Sequence, residues 1–189
     1  MQVSGTDTTT ERKFTTTAVI IGHEDREALI EAIQSVYLQT LPPDEVIACV
    51  CCMSPEYLVE YGADIVVNDK HQNDVGQRFC DYGLKLASKN YVWFYSSDDY
   101  YDDNWLASMQ VEPTDIILGG FDSRLVGRVE HSQPLIGQVT RGSFLVRREF
   151  AQKIGYNGRE YSSDGQFIRD LVEAGASHCS VDKVLYKHN

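Results

Sequence analysis

Basic residues are scarce in this 189-residue chain: 17 Lys and Arg stand against 28 Asp and Glu, a formal net charge of −11. That balance speaks against a passive nucleic-acid binder, which needs a basic face to neutralise phosphates. It leaves open an enzyme that handles phosphates through a bound cation, because the metal then carries the positive charge. Cysteine is sparse and odd in number, five in all. Cys49, Cys51 and Cys52 crowd one expected strand, and no second Cys/His cluster stands at zinc spacing, so the thiols read as buried and free. Long apolar runs are missing as well. None reaches the length of a bilayer-spanning helix, and the opening "MQVSGTDTTTERKFTTT" has no apolar h-region. The expectation is a soluble, cytoplasmic protein without a membrane span. The 42% apolar fraction suffices for one core.

What is present is an alternation of strand and helix signals. Residues 1–16 are polar and Thr-rich and read as a flexible N-terminal tail, with one domain over 17–189. "TAVII" at 17–21, "VIACV" at 46–50, "DIVV" at 64–67 and "YVWFY" at 91–95 are short apolar runs that suit buried strands. Between the first two, "DREALIEAIQSVYLQT" places Leu29, Ile33, Val36 and Tyr37 at helical spacing with Asp25 as N-cap. Ser54 and Pro55 begin a short helix that Gly62 ends. A further helix spans roughly 76–88 with Phe79, Leu86 and Ala87 inward. "DIIL" at 115–118, "SFLV" at 143–146 and "KVLYK" at 183–187 read as later strands. "SSDGQFIRDLVEAG" puts Ser163 and Gln166 at capping-box spacing and Asp164 at the first helical position. This order predicts an α/β fold whose mostly parallel central sheet is covered on both faces, a three-layer sandwich. Ligands gather beyond the C-terminal strand ends of such sheets, where "GHEDR", "CCMS" and "SSDD" fall. The last raises a question, since "SSDDYYDD" packs four aspartates into six positions. Either they lie in a solvated turn, or a cation sits between them.

The stretch "TTAVIIGHEDREALIEAIQSVYLQTLPPDEVIACV" resembles the opening of family 2 glycosyltransferases, and "QTLPPDEV" is its nearest local match. "DVGQRFCDYGLKLASKNYVWFYSSDDYYDDNWL" is similar to the family's next block, a helix and then a strand ending in an aspartate motif. "GSFLVRREF" and "YSSDGQFIRDLVEAG" resemble its acceptor-side segment and late acidic motif. The resemblance runs over about residues 17–189.

It implies a GT-A, Rossmann-like fold and an inverting transfer of a sugar, of the hexosyltransferase type, from a nucleotide-diphosphate sugar to an acceptor hydroxyl, with a UDP-sugar favoured. It further implies a divalent cation, Mn²⁺ or Mg²⁺, held by Asp98, Asp99 and His188, with the shares of the two aspartates left open. Asp164 is the implied general base. Gly22, His23, Glu24, Cys51, Arg78 and Asp98 are the implied nucleotide-sugar contacts. Asp102 and Asp103 are expected to open the next helix. The chain departs from the family pattern where Cys51, Ser96 and Ser163 replace acidic residues, which keeps a catalytically degenerate nucleotide-sugar binding protein in view. A sugar nucleotidyltransferase is the third alternative, against which the acidic "GHEDREA" counts. The acceptor stays open among a protein, a small molecule and a modified nucleic acid, and the sequence is compatible with a homo-oligomer.

Overall fold

The computed structural model describes residues 11–22, 25–51, 56–69, 76–157 and 162–189. Its centre is a nine-stranded mixed sheet. The first half is a parallel unit of β1 (Thr16–Gly22), β2 (Glu45–Cys51), β3 (Ile65–Asp69) and β4 (Tyr91–Ser96), with β1 between β2 and β4 and with β3 outside β2. Every residue of β1 is buried, as expected of a strand covered on both faces. Ala18 and Ile20 face one core, with Leu29, Ile33 and Val36 of α1 (Arg26–Tyr37). Val19 and Ile21 face the other, with Phe79, Cys80 and Leu84 of α3 (Gln77–Leu86). The alternation follows from the two-residue period of a strand, and it yields the expected three layers.

The second half contains β5 (Tyr100–Tyr101), β6 (Ile116–Ser123), β7 (Gly127–Val129), β8 (Phe144–Arg147) and β9 (His178–His188). Strand β8 lies antiparallel between β4 and β6. Two reversals bring β6 back to the direction of β4, and β9 runs parallel to β6. The C-terminal ends of β1, β2, β3, β4, β6 and β9 therefore share one edge of the sheet. Short helices α2 (Glu56–Glu60) and α4 (Trp105–Ser108), and then α5 (Arg148–Ile154) and α6 (Ser163–Glu173), complete the fold. Phe167, Ile168 and Leu171 of α6 pack on the same side as α3.

Several local expectations hold and others are corrected. Asp25 caps α1, accepting from the Ala28 N–H at 3.1 Å. Tyr37, at the end of α1, is exposed, and its hydroxyl donates to Gly62 O at 2.6 Å. Leu86 is exposed too, at the last turn of α3, while Phe79 and Ala87 are buried. Ser54 and Pro55 lie outside the described residues, but Gly62, at φ +109°, ends the segment after α2 as expected. The capping box at Ser163 is absent. Helix α6 takes Ser162 as its N-cap, so Ser163 is the first helical residue and Asp164 the second. Ser163 Oγ instead accepts from Gln77 Nε2 at 2.8 Å, tying α6 to α3. The end of the expected tail also belongs to the domain. Phe14 is buried with its ring 4.1 Å from that of Tyr91, and Lys13 N donates to Gln110 Oε1 at 2.9 Å.

Candidate functional site

At the shared sheet edge lies a cavity of about 560 Å³. The ends of β1 and β4 contribute Ile21, Ser96, Ser97 and Asp98, the end of β6 contributes Ser123, and the end of β9 contributes His188. Arg141, in the 3-10 turn ahead of β8, and Asp164, in the first turn of α6, also line it, as does Asp25, the N-cap of α1.

The aspartates after β4 form a tight turn. Asp99 N–H donates to Ser96 O at 3.1 Å, which puts Ser97 and Asp98 at the tip, and Ser97 N–H donates to Ile21 O at 2.9 Å. The two carboxylates separate by environment. Asp98 is exposed and lines the cavity. Asp99 is 8% exposed and turns inward, where Tyr186 Oη donates to its Oδ2 at 2.7 Å and Asn189 N–H to its Oδ1 at 3.2 Å. Burial pushes the Asp99 carboxyl up to about 6, and Asp98 adds to the rise, against the opposing pull of the Tyr186 hydrogen bond and of His188. Strand pairing enforces this arrangement, since β5 pairs with β9 so that Tyr101 lies opposite Tyr186. Asp102 and Asp103 do not open a helix directly. Asp102 Oδ1 accepts from Asn104 N–H at 2.9 Å, an Asx turn, and α4 follows with Asn104 as its N-cap.

His188 is held by register as well as sequence, because β9 places it opposite Ser123 of β6. Its Nδ1 lies 3.3 Å from Ser123 Oγ, which leaves Nε2 for another partner. Among the described residues no three His, Cys, Asp or Glu groups converge as a metal cluster. Of the expected metal ligands, Asp98 and His188 line the cavity, together with the carboxylates of Asp25 and Asp164. Such a set fits a Mg²⁺ or Mn²⁺ ion that completes its shell with water and ligand phosphates, the usual habit of Mg²⁺.

Asp164 is fixed from three directions. The Tyr156 hydroxyl donates to Oδ1, Arg141 N–H donates to Oδ2 at 3.0 Å, and Arg141 Nε lies 3.7 Å from Oδ1. Burial alone works against the charged guanidinium of Arg141, but Cys80, Asp164 and Tyr156 around it hold its pKa above the ordinary arginine value. The result is an oriented carboxylate on the cavity wall, backed by a buried cation.

The other sequence candidates are not among the cavity-lining residues or lie outside what is described. His23 and Glu24 fall outside the described residues. Gly22 is buried at the end of β1, where a Cβ would stand 2.2 Å from Leu29 Cδ2, so close packing of α1 accounts for the glycine. Cys51 ends β2 with its side chain in the core beside Ile21 and Phe79, in register with Asp69 of β3. Arg78, in the first turn of α3, lies 3.8 Å from Asp69 Oδ2 through Nη1, and Asp69 also accepts from Tyr82 Oη at 3.2 Å. Sequence reasoning missed Tyr156, Arg141, Ser123 and Tyr186. Arg141 stands beside the "GSFLVRREF" stretch, but nothing in that stretch marks it. Tyr186 reads as an ordinary strand aromatic in "KVLYK".

No family model and no curated protein matches the chain. Among solved structures it is similar to S. aureus TarS, a glycosyltransferase. With TarS 1–349 in complex with UDP-GlcNAc it shares 16% identity at a TM-score of 0.74, covering 92% of this chain and 58% of that one. With TarS 1–349 in complex with UDP the TM-score is 0.73, again at 16% identity, covering 92% and 60%. With the crystal structure of S. aureus TarS the TM-score is 0.68 at 17% identity, covering 93% of this chain and 36% of that one. The chain therefore spans less than two thirds of the neighbours it matches, and at this identity the likeness concerns the fold. That fold is a mixed α/β, Rossmann-like GT-A architecture.

Proposed function

We propose that the protein is a metal-dependent inverting glycosyltransferase that moves a hexosyl group from a nucleotide-diphosphate sugar, a UDP-sugar in the favoured case, to an acceptor hydroxyl. One observation carries this reading: Asp98, His188 and Asp164 line a single cavity at the strand-end edge of a fold whose solved neighbours hold UDP and UDP-GlcNAc. Asp98 and His188 are the residues that would hold Mn²⁺ or Mg²⁺. A cation there would supply Lewis-acid stabilisation to the diphosphate as it leaves. Asp99 acts from behind, fixing the turn that presents Asp98.

The transfer is a single displacement. The acceptor oxygen forms a bond to the anomeric carbon as the bond from that carbon to the diphosphate oxygen breaks, which inverts the centre. The hydroxyl proton passes to Asp164, whose carboxylate is already oriented by Tyr156 and by the Arg141 N–H; proton transfer to a positioned group contributes about 10²–10⁴-fold. The pairing with Arg141 keeps the carboxylate from swinging away from the cavity.

A second reading, a GT-A-shaped protein that binds nucleotide sugars without turnover, draws on one observation. Asp99 is committed to Tyr186 and Asn189, so Asp98 is the single carboxylate that the turn offers to the cavity. Slow metal-stimulated hydrolysis of UDP-[¹⁴C]GlcNAc, absent from Asp98→Ala, is the expected result for the enzyme. Binding of the donor with no released sugar over background would leave only the second reading.

A further inference from the structure

The cavity has an apolar wall that the donor does not explain. Leu125 and Val126 sit at the turn between β6 and β7, 68% and 52% exposed, and Ile136 is 50% exposed on the segment that precedes Val139. Leu125, Val126, Ile136 and Val139 all line the cavity that Ile21, Ser97 and Asp98 also line. Large apolar side chains left in water around one concavity mark a binding surface. The position of Ile136 is imposed by packing against the helix that carries the candidate base. A Cβ on Gly165 would stand 2.8 Å from Ile136 Cα, so the residue after Asp164 must be glycine for the two segments to meet this closely. The apolar wall thus begins one residue from Asp164. Whatever hydroxyl approaches that carboxylate has an apolar body beside it.

Charge narrows the class further. The cavity is lined by the carboxylates of Asp25, Asp98 and Asp164, Arg141 is paired to Asp164, and the chain as a whole is at −11. A phosphorylated or polyanionic acceptor would meet carboxylates and hydrocarbon there.

We infer that the acceptor is an uncharged hydroxylated molecule with an apolar body, seated on Leu125, Val126, Ile136 and Val139 with its hydroxyl toward Asp164. The inference rests on the transfer reading above for the word acceptor, and on the wall itself for the ligand chemistry.

The test is methyl NMR of the full chain labelled at Ile, Leu and Val, in Mg²⁺-containing buffer, titrated separately with 2-naphthol, glycerol, glycerol 3-phosphate and UDP. The expected result is that 2-naphthol shifts the Leu125, Val126 and Ile136 methyls at concentrations where glycerol and glycerol 3-phosphate do not. Ile136→Asp, a change at a half-exposed position, should weaken the 2-naphthol effect by roughly tenfold or more, with the remaining methyl spectrum unchanged as the check on folding. The Ile21 methyl, beside Ser96 and Ser97 at the ends of β1 and β4, reports UDP. Shifts at Ile21 with UDP but none at the wall with 2-naphthol would overturn this inference and leave the transfer reading standing. Wall shifts with 2-naphthol and no response to UDP would support the apolar ligand class and sink the transfer reading. Stronger wall shifts with glycerol 3-phosphate, or wall shifts that track protein concentration alone and so place a second copy there, would each overturn the inference.

Discussion

Tyr186 donates a 2.7 Å hydrogen bond to Asp99 across 87 positions of sequence, and its ring stacks on Tyr101 at 4.5 Å. The pair joins the last strand to the aspartate turn. Tyr186→Phe keeps the stacked ring and removes the donor, leaving a buried carboxylate oxygen without that partner. The expected loss is about 1–3 kcal/mol of stability, read as a lower urea midpoint with an unchanged slope. An unchanged midpoint would mean that the hydrogen bond does not hold the turn.

Gly22 is a packing residue by its geometry. Gly22→Ala sets a methyl 2.2 Å from Leu29 Cδ2, and overpacking of this kind costs about 1–3 kcal/mol. Leu29→Ala is itself destabilising, because Leu29 is fully buried. Combined, the two changes should cost less than their sum, since the second removes the obstacle to the first. Strict additivity in denaturant melts would contradict the packing account.

Glu45 ties β2 to the neighbouring segments. It accepts from Thr17 Oγ1 at 2.6 Å and from Ser88 N and Oγ, each at 2.8 Å. Burial raises its pKa, but these hydrogen bonds, helped by Lys89, outweigh burial and hold it below the ordinary 4.5. A lowered folded-state pKa means that the unfolded chain binds the proton first. The stabilisation is therefore present above pH 4.5 and is lost as pH falls through the lowered value. The stability difference between the wild type and Glu45→Gln should be constant from pH 6 to 7 and shrink below 4.5, which urea melts across that range measure.

Asp164→Asn keeps the side-chain size and an acceptor for Tyr156 but removes the proton-accepting carboxylate. Transfer to acceptor should fall by about 10²–10⁴-fold while UDP affinity changes little, a kcat effect without a matching change in donor binding. An Asn variant with full turnover would remove Asp164 from the mechanism.

The first half of the fold was legible because its signals are local. β1, β2 and β4 are short apolar runs buried on both faces, α1 carries its own cap in Asp25, and Gly62 ends the segment after α2. The second half depends on partners far away in the chain. β8 reads as one more strand, yet it runs antiparallel between β4 and β6, an order that no local pattern encodes. β5 is two residues long and exists through its pairing with β9. The same limit applies at the site. The aspartate turn and Asp164 stand out by residue type and place in the block order. The division of labour between Asp98 and Asp99 comes from Tyr186 and Asn189, and the anchoring of Asp164 comes from Arg141 and Tyr156. Ser163 shows the converse: its spacing to Gln166 suggests a cap, but its hydroxyl bonds Gln77 on α3 instead, because tertiary packing sets where α6 begins.

The opening question about the aspartates has a structural half-answer, a turn that faces one carboxylate outward and buries the other. The remaining half is whether a cation binds at Asp98. Calorimetric titration of the wild type and Asp98→Ala with UDP, each with and without Mn²⁺, tests it most directly. On the proposed reading, in which Asp98 and His188 would hold the cation, Mn²⁺ and UDP should complete each other's binding, so Mn²⁺ strengthens UDP by about tenfold or more, a coupling of roughly 1.4 kcal/mol, and Asp98→Ala abolishes the gain. UDP that binds equally well with and without Mn²⁺, or not at all, would contradict the metal-dependent transfer that the account places at this cavity.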